Sequence, residues 1–367
     1  MRERARAMNE ARASSSGGRA RLIRNESNTF FTISAPVHDA KTPMRRATRS
    51  ALASTSAAIR RPTCPIIRTH GGDAKTVPTY GENSAFFIGA AEASGRGAYA
   101  ARALAAGERV LAGEFPMACH PTLANRGARC DRCLRVTKGG ARFCSAACEA
   151  LAKREYDDVG VDSSELESYC EENGGLKFPL LLLRIAAMVS SGALDQRTVD
   201  WLCHAKNVTS RETMPAQWLR ESEMVARAFE VKPSFITPEW YAGVTSRLHL
   251  NSFRVEIPSG ADDEPNATVE FKDLISASLD ASVRGRGSGT AVYRLPSLFN
   301  HSCDPSVHVT WEHGDATLVA RAARDVSPGE ELTITYIDAD AAASTRRETL
   351  EQSYGFHCVC HRCLAEE

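Results

Sequence analysis

Between Asn83 and Glu114 the apolar positions come in short pieces, "SAFFIGAAEASGRGAYAARALAAGERVLAGE", broken by glycine-containing turns. Pieces of that length bordered by turn residues predict strands. The pattern changes beyond Cys148: "FPLLLLRIAAMVSSG" (178–192) and "LDQRTVDWLCHA" (194–205) have the length and apolar density of helices. Thr237, Pro238 and Glu239 make a helix start, with a capping hydroxyl, a proline at the first helical position and an early acid. Trp240, Val244 and Leu248 follow on one face. That helix is expected to run into "LHLNSFRVEI" (248–257), and "GADDEPNA" (260–267) reads as a polar loop. Strands resume at "GTAVYRLPSLF" (289–299). "SVHVTW" and "ATLVARA" flank "EHGD" as a hairpin, and "EELTITYID" (330–338) is rich in strand formers. No internal repeat is visible. Residues 1 to 80 carry too few large apolar side chains to order themselves and read as a tail.

Composition narrows the class. With 367 residues, 43% hydrophobic and 25% charged, the chain can bury one large core or two smaller ones. No apolar run reaches the length of a membrane span, so no membrane partner is expected. The net charge of zero conceals a division: residues 1 to 80 hold fifteen Lys or Arg against five acids, leaving thirty against forty in the remainder. An acidic body suits a basic peptide better than a polyphosphate, so direct nucleic-acid binding is not expected. Within the tail, Met44 to Gly72 contains no acid and is dense in Arg and Ser. It reads equally as an organelle transit segment or as a basic nuclear or nucleic-acid-binding arm, so mitochondrion or plastid stands against nucleus or cytoplasm.

Seven of the twelve cysteines are grouped. Cys130 and Cys133 are followed after ten residues by Cys144 and Cys148, a complete set of four thiolates at zinc-finger spacing. Cys358, Cys360 and Cys363 form a second cluster, one ligand short of a closed tetrahedral site. Cys303, His357 and His361 are candidates for the fourth position, and reduced thiols without metal are the alternative. Such grouping indicates zinc in a reducing compartment rather than disulfides, so two structural zinc ions are expected. Cys64, Cys119, Cys170 and Cys203 have no partner pattern and read as structural or solvent-facing thiols. His120 and His204 read as satisfied or surface histidines.

Four features occur in a fixed order: "GRG" at Gly95 to Gly97, "NHSCDP" at Asn300 to Pro305, "GEELTITYID" at Gly329 to Asp338 and "YGFHCVCHRC" at Tyr354 to Cys363. Together they resemble a SET-domain lysine methyltransferase. The cysteine group after the first strands, the helical stretch and "LNSF" at Leu250 to Phe253 make the chain similar to the SET and MYND group in particular. The resemblance covers most of residues 85 to 367. It implies an α+β, mainly β fold: a β-clip core with a zinc-finger and helical insert and a zinc-bound C-terminus. The expected divisions are a tail (1–80), the first part of the core (81–128), a MYND-like finger (129–150), the helical insert (151–249), the second part of the core (250–345) and a post-SET zinc segment (346–367). The finger departs from the pattern, since a full MYND finger binds two zinc ions and only four cysteines remain here. Ser306 stands where an Asn is usual, and the long C-terminal helical domain of some relatives is not expected, which would leave the substrate groove more open.

By the same resemblance, Cys303 is the fourth ligand of the C-terminal cluster. Gly95, Arg96, Gly97, Asn300 and His301 would contact S-adenosylmethionine, with Asn251 and Ser297 as weaker candidates. The hydroxyl of Tyr336 would orient the amine at the mouth of a lysine channel, and Tyr354 and Phe356 would wall that channel. The implied partner is a lysine-containing protein or peptide, histone or otherwise, and a monomer is expected. A glycine-flanked turn lets backbone approach a ligand closely, and methyl transfer asks for aligned substrates, a desolvated channel and a neutral amine. Two rivals stand beside this reading: a non-catalytic SET-fold scaffold that holds a partner through its zinc clusters and groove, and a nucleic-acid-binding zinc protein. A scaffold would have no need of Asn300, His301 and Tyr336 together.

Overall fold

The computed structural model describes residues 85–91, 95–204, 214–257 and 288–366. The basic tail and the "GADDEPNA" loop lie outside the described residues. Three small sheets form the core. The strands are β1 (Phe86–Ala91), β2 (Gly95–Ala100), β3 (Arg109–Glu114), β4 (Ala118–Pro121), β5 (Ser252–Val255), β6 (Gly289–Val292), β7 (Asn300–His301), β8 (Val307–Thr310), β9 (Leu318–Ala322) and β10 (Glu331–Ile334). They assemble in the orders β1-β2-β10-β7, β3-β9-β8 and β4-β6-β5. The hairpin anticipated around "EHGD" is present as antiparallel β8 and β9. Strands β7 and β10, by contrast, pair in parallel, Thr333 facing Asn300 and Ile334 facing His301. That pairing sets two distant motifs side by side.

The helices are α1 (Ala146–Glu155), α2 (Ser164–Glu172), α3 (Phe178–Ser190), α4 (Gln196–Asp200), α5 (Ala216–Arg227), α6 (Pro238–Asn251), α7 (Ala343–Tyr354) and α8 (His361–Ala365). Helix α3 is apolar nearly all round, and Arg184, its one charged residue, is buried with the rest. Helix α6 starts as expected, with the Thr237 hydroxyl accepting from the Trp240 N–H at 3.1 Å. It runs into the LHLNSFRVEI stretch as expected and ends within it. The helix stops at Asn251 and the chain enters β5, because the Asn251 amide donates to the Arg247 carbonyl at 2.8 Å while Ser252 to Val255 pair with β6. Of the described part of the expected helix 194–205, residues 194–204, only Gln196 to Asp200 is helical; Trp201 caps its end, its carbonyl taken by Arg96. Among the described residues helices hold more positions than strands, so the fold is α+β without the expected weighting toward β. No helix among the described residues is long and apolar enough to cross a membrane.

The finger is built into the core rather than appended to it. Leu134, between the two cysteine pairs, is fully buried among Tyr293, Ala291 and Cys119 of the sheet core. It takes a left-handed backbone (φ 62°), uncommon for a side chain of its size. Gly289 makes the room: a Cβ there would sit 2.8 Å from the Leu134 methyls and 2.5 Å from the His120 carbonyl. The Cys133 carbonyl accepts from the Ala316 N–H at 2.8 Å. Arg184 donates to the Cys119 and Asp131 carbonyls and pairs with the Asp131 carboxylate at 2.7 Å. Burial would raise the Asp131 carboxyl, but the Arg184 guanidinium holds it well below the usual carboxylate range. Cys119 and Cys170 are buried thiols, the former donating to the Arg132 carbonyl at 3.0 Å.

Leu134→Ala should therefore behave as a core truncation. We expect a loss of roughly 2–5 kcal/mol in urea unfolding of the zinc-loaded protein. An unchanged midpoint would mean that the finger is only loosely attached.

Candidate functional site

The parallel pairing of β7 with β10, and the antiparallel pairing of β10 with β2, bring the GRG and NHSC stretches together. The Asn300 side-chain amide donates to the Arg96 carbonyl at 3.0 Å and to Glu331 Oε1 at 2.7 Å. Gly97 lies directly beneath: a Cβ there would fall 2.6 Å from Glu331 Oε1 and 2.9 Å from Asn300 Nδ2. Gly95, at φ 88°, opens β2 in a conformation that disfavours other residues. The Arg96 guanidinium turns toward the helical insert, 4.1 Å from the Trp201 ring centroid, while donating to the Trp201 carbonyl. Trp201 carried no signal in the sequence, because its partner lies 105 residues away.

His301 occupies the centre of the second half of the site. Its Nδ1 accepts from the Tyr336 backbone N–H at 3.0 Å, and Nε2 lies 3.3 Å from Cys303 Sγ. An accepting Nδ1 puts the proton on Nε2, aimed at the sulfur. Burial, assisted by Arg346, pushes the imidazole pKa down to about 3, so the ring is neutral. Both ring nitrogens are thus engaged within the protein, and backbone and ring face are what remain to a ligand. Tyr336 donates its hydroxyl to the Phe299 carbonyl at 2.8 Å, and its ring lies 5.4 Å from His301 and 4.9 Å from Tyr354. Tyr354 donates to the Tyr336 carbonyl at 3.3 Å, and burial raises its phenol to about 12, keeping it protonated. Phe356 lies 6.0 Å from His301. Tyr336, Tyr354 and Phe356 all pack against the cluster formed by Ile337, Leu350 and the C-terminal cysteines.

Asn251 and Ser297 lie together, the Ser297 hydroxyl 3.5 Å from the Asn251 carbonyl. The Asn251 amide is spent on the Cys203 and Arg247 carbonyls, and Ser297 donates to the Tyr293 carbonyl. Ser306 has a clear role. Its buried hydroxyl accepts from the Thr333 N–H at 2.9 Å and donates to the Glu331 carbonyl at 3.2 Å, fastening β10 from outside the ladder.

Cys303, Cys358, Cys360 and Cys363 meet, as do Cys130, Cys133, Cys144 and Cys148, with all sulfurs of a set within 4.8 Å of one another. A tetrahedron with zinc–sulfur bonds of about 2.3 Å has sulfur–sulfur edges of about 3.8 Å. The separations are 3.6–3.7 Å for Cys133, Cys144 and Cys148, and 3.5 and 4.0 Å from Cys303 to Cys363 and Cys358. A disulfide would require about 2.05 Å. Both sets therefore fit zinc, and Cys303 rather than His357 or His361 completes the second. Arg346, 1% exposed, donates to Cys363 Sγ at 3.6 Å and pairs with Glu366 at 2.7 Å. Its charge offsets part of the negative charge of a zinc tetrathiolate. Neither Arg346 nor Glu331 was singled out from sequence, although Glu331 stands in the same motif as Tyr336.

These features define a zinc-clamped sheet protein in which two distant motifs and the C-terminal segment converge on one tyrosine. The SET domain profile matches residues 95–337, and the chain belongs to that family. It is 34% identical over 293 residues to histone-lysine N-methyltransferase ATXR4 of Arabidopsis thaliana, covering 76% of this chain and 86% of that protein. It is 25% identical over 278 residues to a SET and MYND domain-containing protein of Dictyostelium discoideum, covering 68% and 76%. Identity to human histone-lysine N-methyltransferase SMYD3 is 26% over 296 residues, 74% of this chain and 60% of that protein.

Metal analysis of the purified chain should find about two zinc ions per molecule, and Cys303→Ser should lower the ratio to about one. A wild-type ratio near one would remove one cluster.

Proposed function

We infer that the chain is an S-adenosylmethionine-dependent methyltransferase acting on lysine side chains of protein substrates. The observation that carries this reading is the convergence of Asn300, His301 and Tyr336 next to a zinc-clamped aromatic wall. A relative matched over 86% of its own length is named a histone-lysine N-methyltransferase, which supports the same reading. The residues suit such a cofactor: aromatic faces favour cations, and Tyr336, Tyr354 and Phe356 gather half-buried around one place. Asn300, with the backbone of Arg96 to Gly97 and of His301, would hold the adenosyl and amino-acid parts. When bound, the cofactor supplies an electrophilic methyl group on a sulfonium.

The Tyr336 hydroxyl donates a hydrogen bond to the Phe299 carbonyl, which fixes the direction of its oxygen lone pairs. A lone pair fixed in that way can accept a hydrogen bond from an incoming lysine amine and hold its nitrogen on line. His301 fixes the Tyr336 backbone from the other side. No dedicated base is needed, since a lysine with a reference pKa of about 10.4 is pushed toward the neutral form as it leaves water for an aromatic channel. The acidic balance of residues 81 to 367 favours a basic segment of the substrate.

Tyr336→Phe should reduce methyl transfer to a lysine-rich protein roughly 100-fold or more, while calorimetric affinity for S-adenosylmethionine changes less than about threefold. Full activity in the variant would remove Tyr336 from the transfer step. Absence of cofactor binding by folded, zinc-loaded wild type would favour the scaffold reading.

A further inference from the structure

We propose that Glu331 is a positioning residue for cofactor binding, acting by setting the orientation of the Asn300 carboxamide. This rests on the methyltransferase reading above and adds a residue to its machinery. A carboxamide can present either its oxygen or its NH2 to one side, and the two orientations differ by a half-turn about one bond. Here the choice is made by two acceptors on the same flank. Glu331 Oε1 takes one Nδ2 proton at 2.7 Å and the Arg96 carbonyl lies 3.0 Å from the same nitrogen. Flipping the amide would place its oxygen against a carboxylate and a carbonyl, acceptor against acceptor. The Asn300 oxygen is therefore held on the opposite flank.

The neighbouring backbone is shaped for this pair. Glu331 sits on β10 opposite Tyr99 of β2, and Thr333, two residues on, sits opposite Asn300 of β7. The carboxylate thereby spans the strands that carry both cofactor motifs. Gly97 lacks the Cβ that would come 2.6 Å from Glu331 Oε1. The second glycine of the GRG turn thus admits the Asn300–Glu331 pair, besides any close approach of ligand to backbone. With two acceptors on one flank, Glu331 Oε1 and the Arg96 carbonyl, the amide is fixed more firmly than by the Arg96 carbonyl alone.

The test uses the full-length, zinc-loaded chain and compares wild type, Glu331→Gln and Glu331→Ala. Calorimetric titration with S-adenosylmethionine should show Glu331→Ala weakened roughly 10- to 100-fold, the scale of one buried polar group left without its partner. Most of the loss should appear in the cofactor KM rather than in kcat. Glu331→Gln keeps a side-chain oxygen able to accept from Asn300, and should stay within about threefold of wild type. Wild-type affinity in Glu331→Ala, or equal losses in both variants, would overturn the proposal; the second pattern would assign the effect to charge rather than to amide orientation. If Glu331→Ala gives no folding transition, Gly97→Ala takes its place. That variant retains the carboxylate but forces the pair apart, and unchanged affinity in it would equally overturn the proposal. A readout free of cofactor separates this inference from the function it rests on: the Asn300 side-chain NH2 protons should exchange slowly by NMR in wild type and faster in Glu331→Ala. Slow exchange without cofactor binding would sink the functional reading and leave Glu331 fixing the amide; equally fast exchange in both proteins would sink the positioning role.

Discussion

The C-terminal set of four thiolates is the constraint on which the site depends. Cys303 and Cys358 are 55 residues apart in the chain, and nothing in the local structure of either segment requires them to meet. A structural zinc ion binds with roughly 10–16 kcal/mol, as much as the whole net stability of an ordinary domain, roughly 5–15 kcal/mol. Closing this site carries Tyr354 and Phe356 against Tyr336 and His301. Opening it would take Tyr354 and Phe356 away from Tyr336 and His301. Arg346, buried beside Cys363, shows that the surroundings are built for a negatively charged cluster, because a buried guanidinium without compensating charge would be costly.

His301 makes the clamp and the site one unit. Its ring reaches Cys303 with one nitrogen and the Tyr336 backbone with the other, so the metal ligand and the tyrosine share a rigid, neutral connector. This is the usual logic of a ligand's hydrogen-bonding neighbour, which orients what the metal holds. The SLFNHSCDPS stretch therefore concentrates several tasks in a few residues. Phe299 offers the carbonyl that accepts the Tyr336 hydroxyl's hydrogen bond, Asn300 ties β7 to β2, His301 links metal ligand to tyrosine, and Cys303 anchors the C-terminal segment.

The finger is a second, independent answer to the problem of holding a many-piece core together. A helical insert interrupts the sheets, and Arg184 of α3 reaches across to Asp131 between the first two zinc ligands. Leu134 then plugs the sheet core from within the finger. Four cysteines suffice for that task, since a single closed zinc site is enough to hold a short loop in an otherwise uncommon backbone conformation.

Much of this was legible in the chain. Cysteine spacing is local, so the finger's ligand set could be read directly, and the Thr237 cap and the β8–β9 hairpin depend on neighbours within a few residues. The ordered motifs pointed to the SET family and to Asn300, His301 and Tyr336. Other features are non-local. The end of α6 at Asn251 depends on pairing with a strand some forty residues on, the shortness of α4 on Arg96, and the placing of Glu331 over Gly97 on the meeting of β2 and β10. Helix propensity and apolar periodicity cannot report such competition, because a backbone group or side chain is assigned to whichever partner the assembled fold brings within about 3 Å. Sequence alone determined which chemical groups the site would contain and which thiolates would form the finger. Tertiary structure decided which groups face one another, and so which way an amide or an imidazole points.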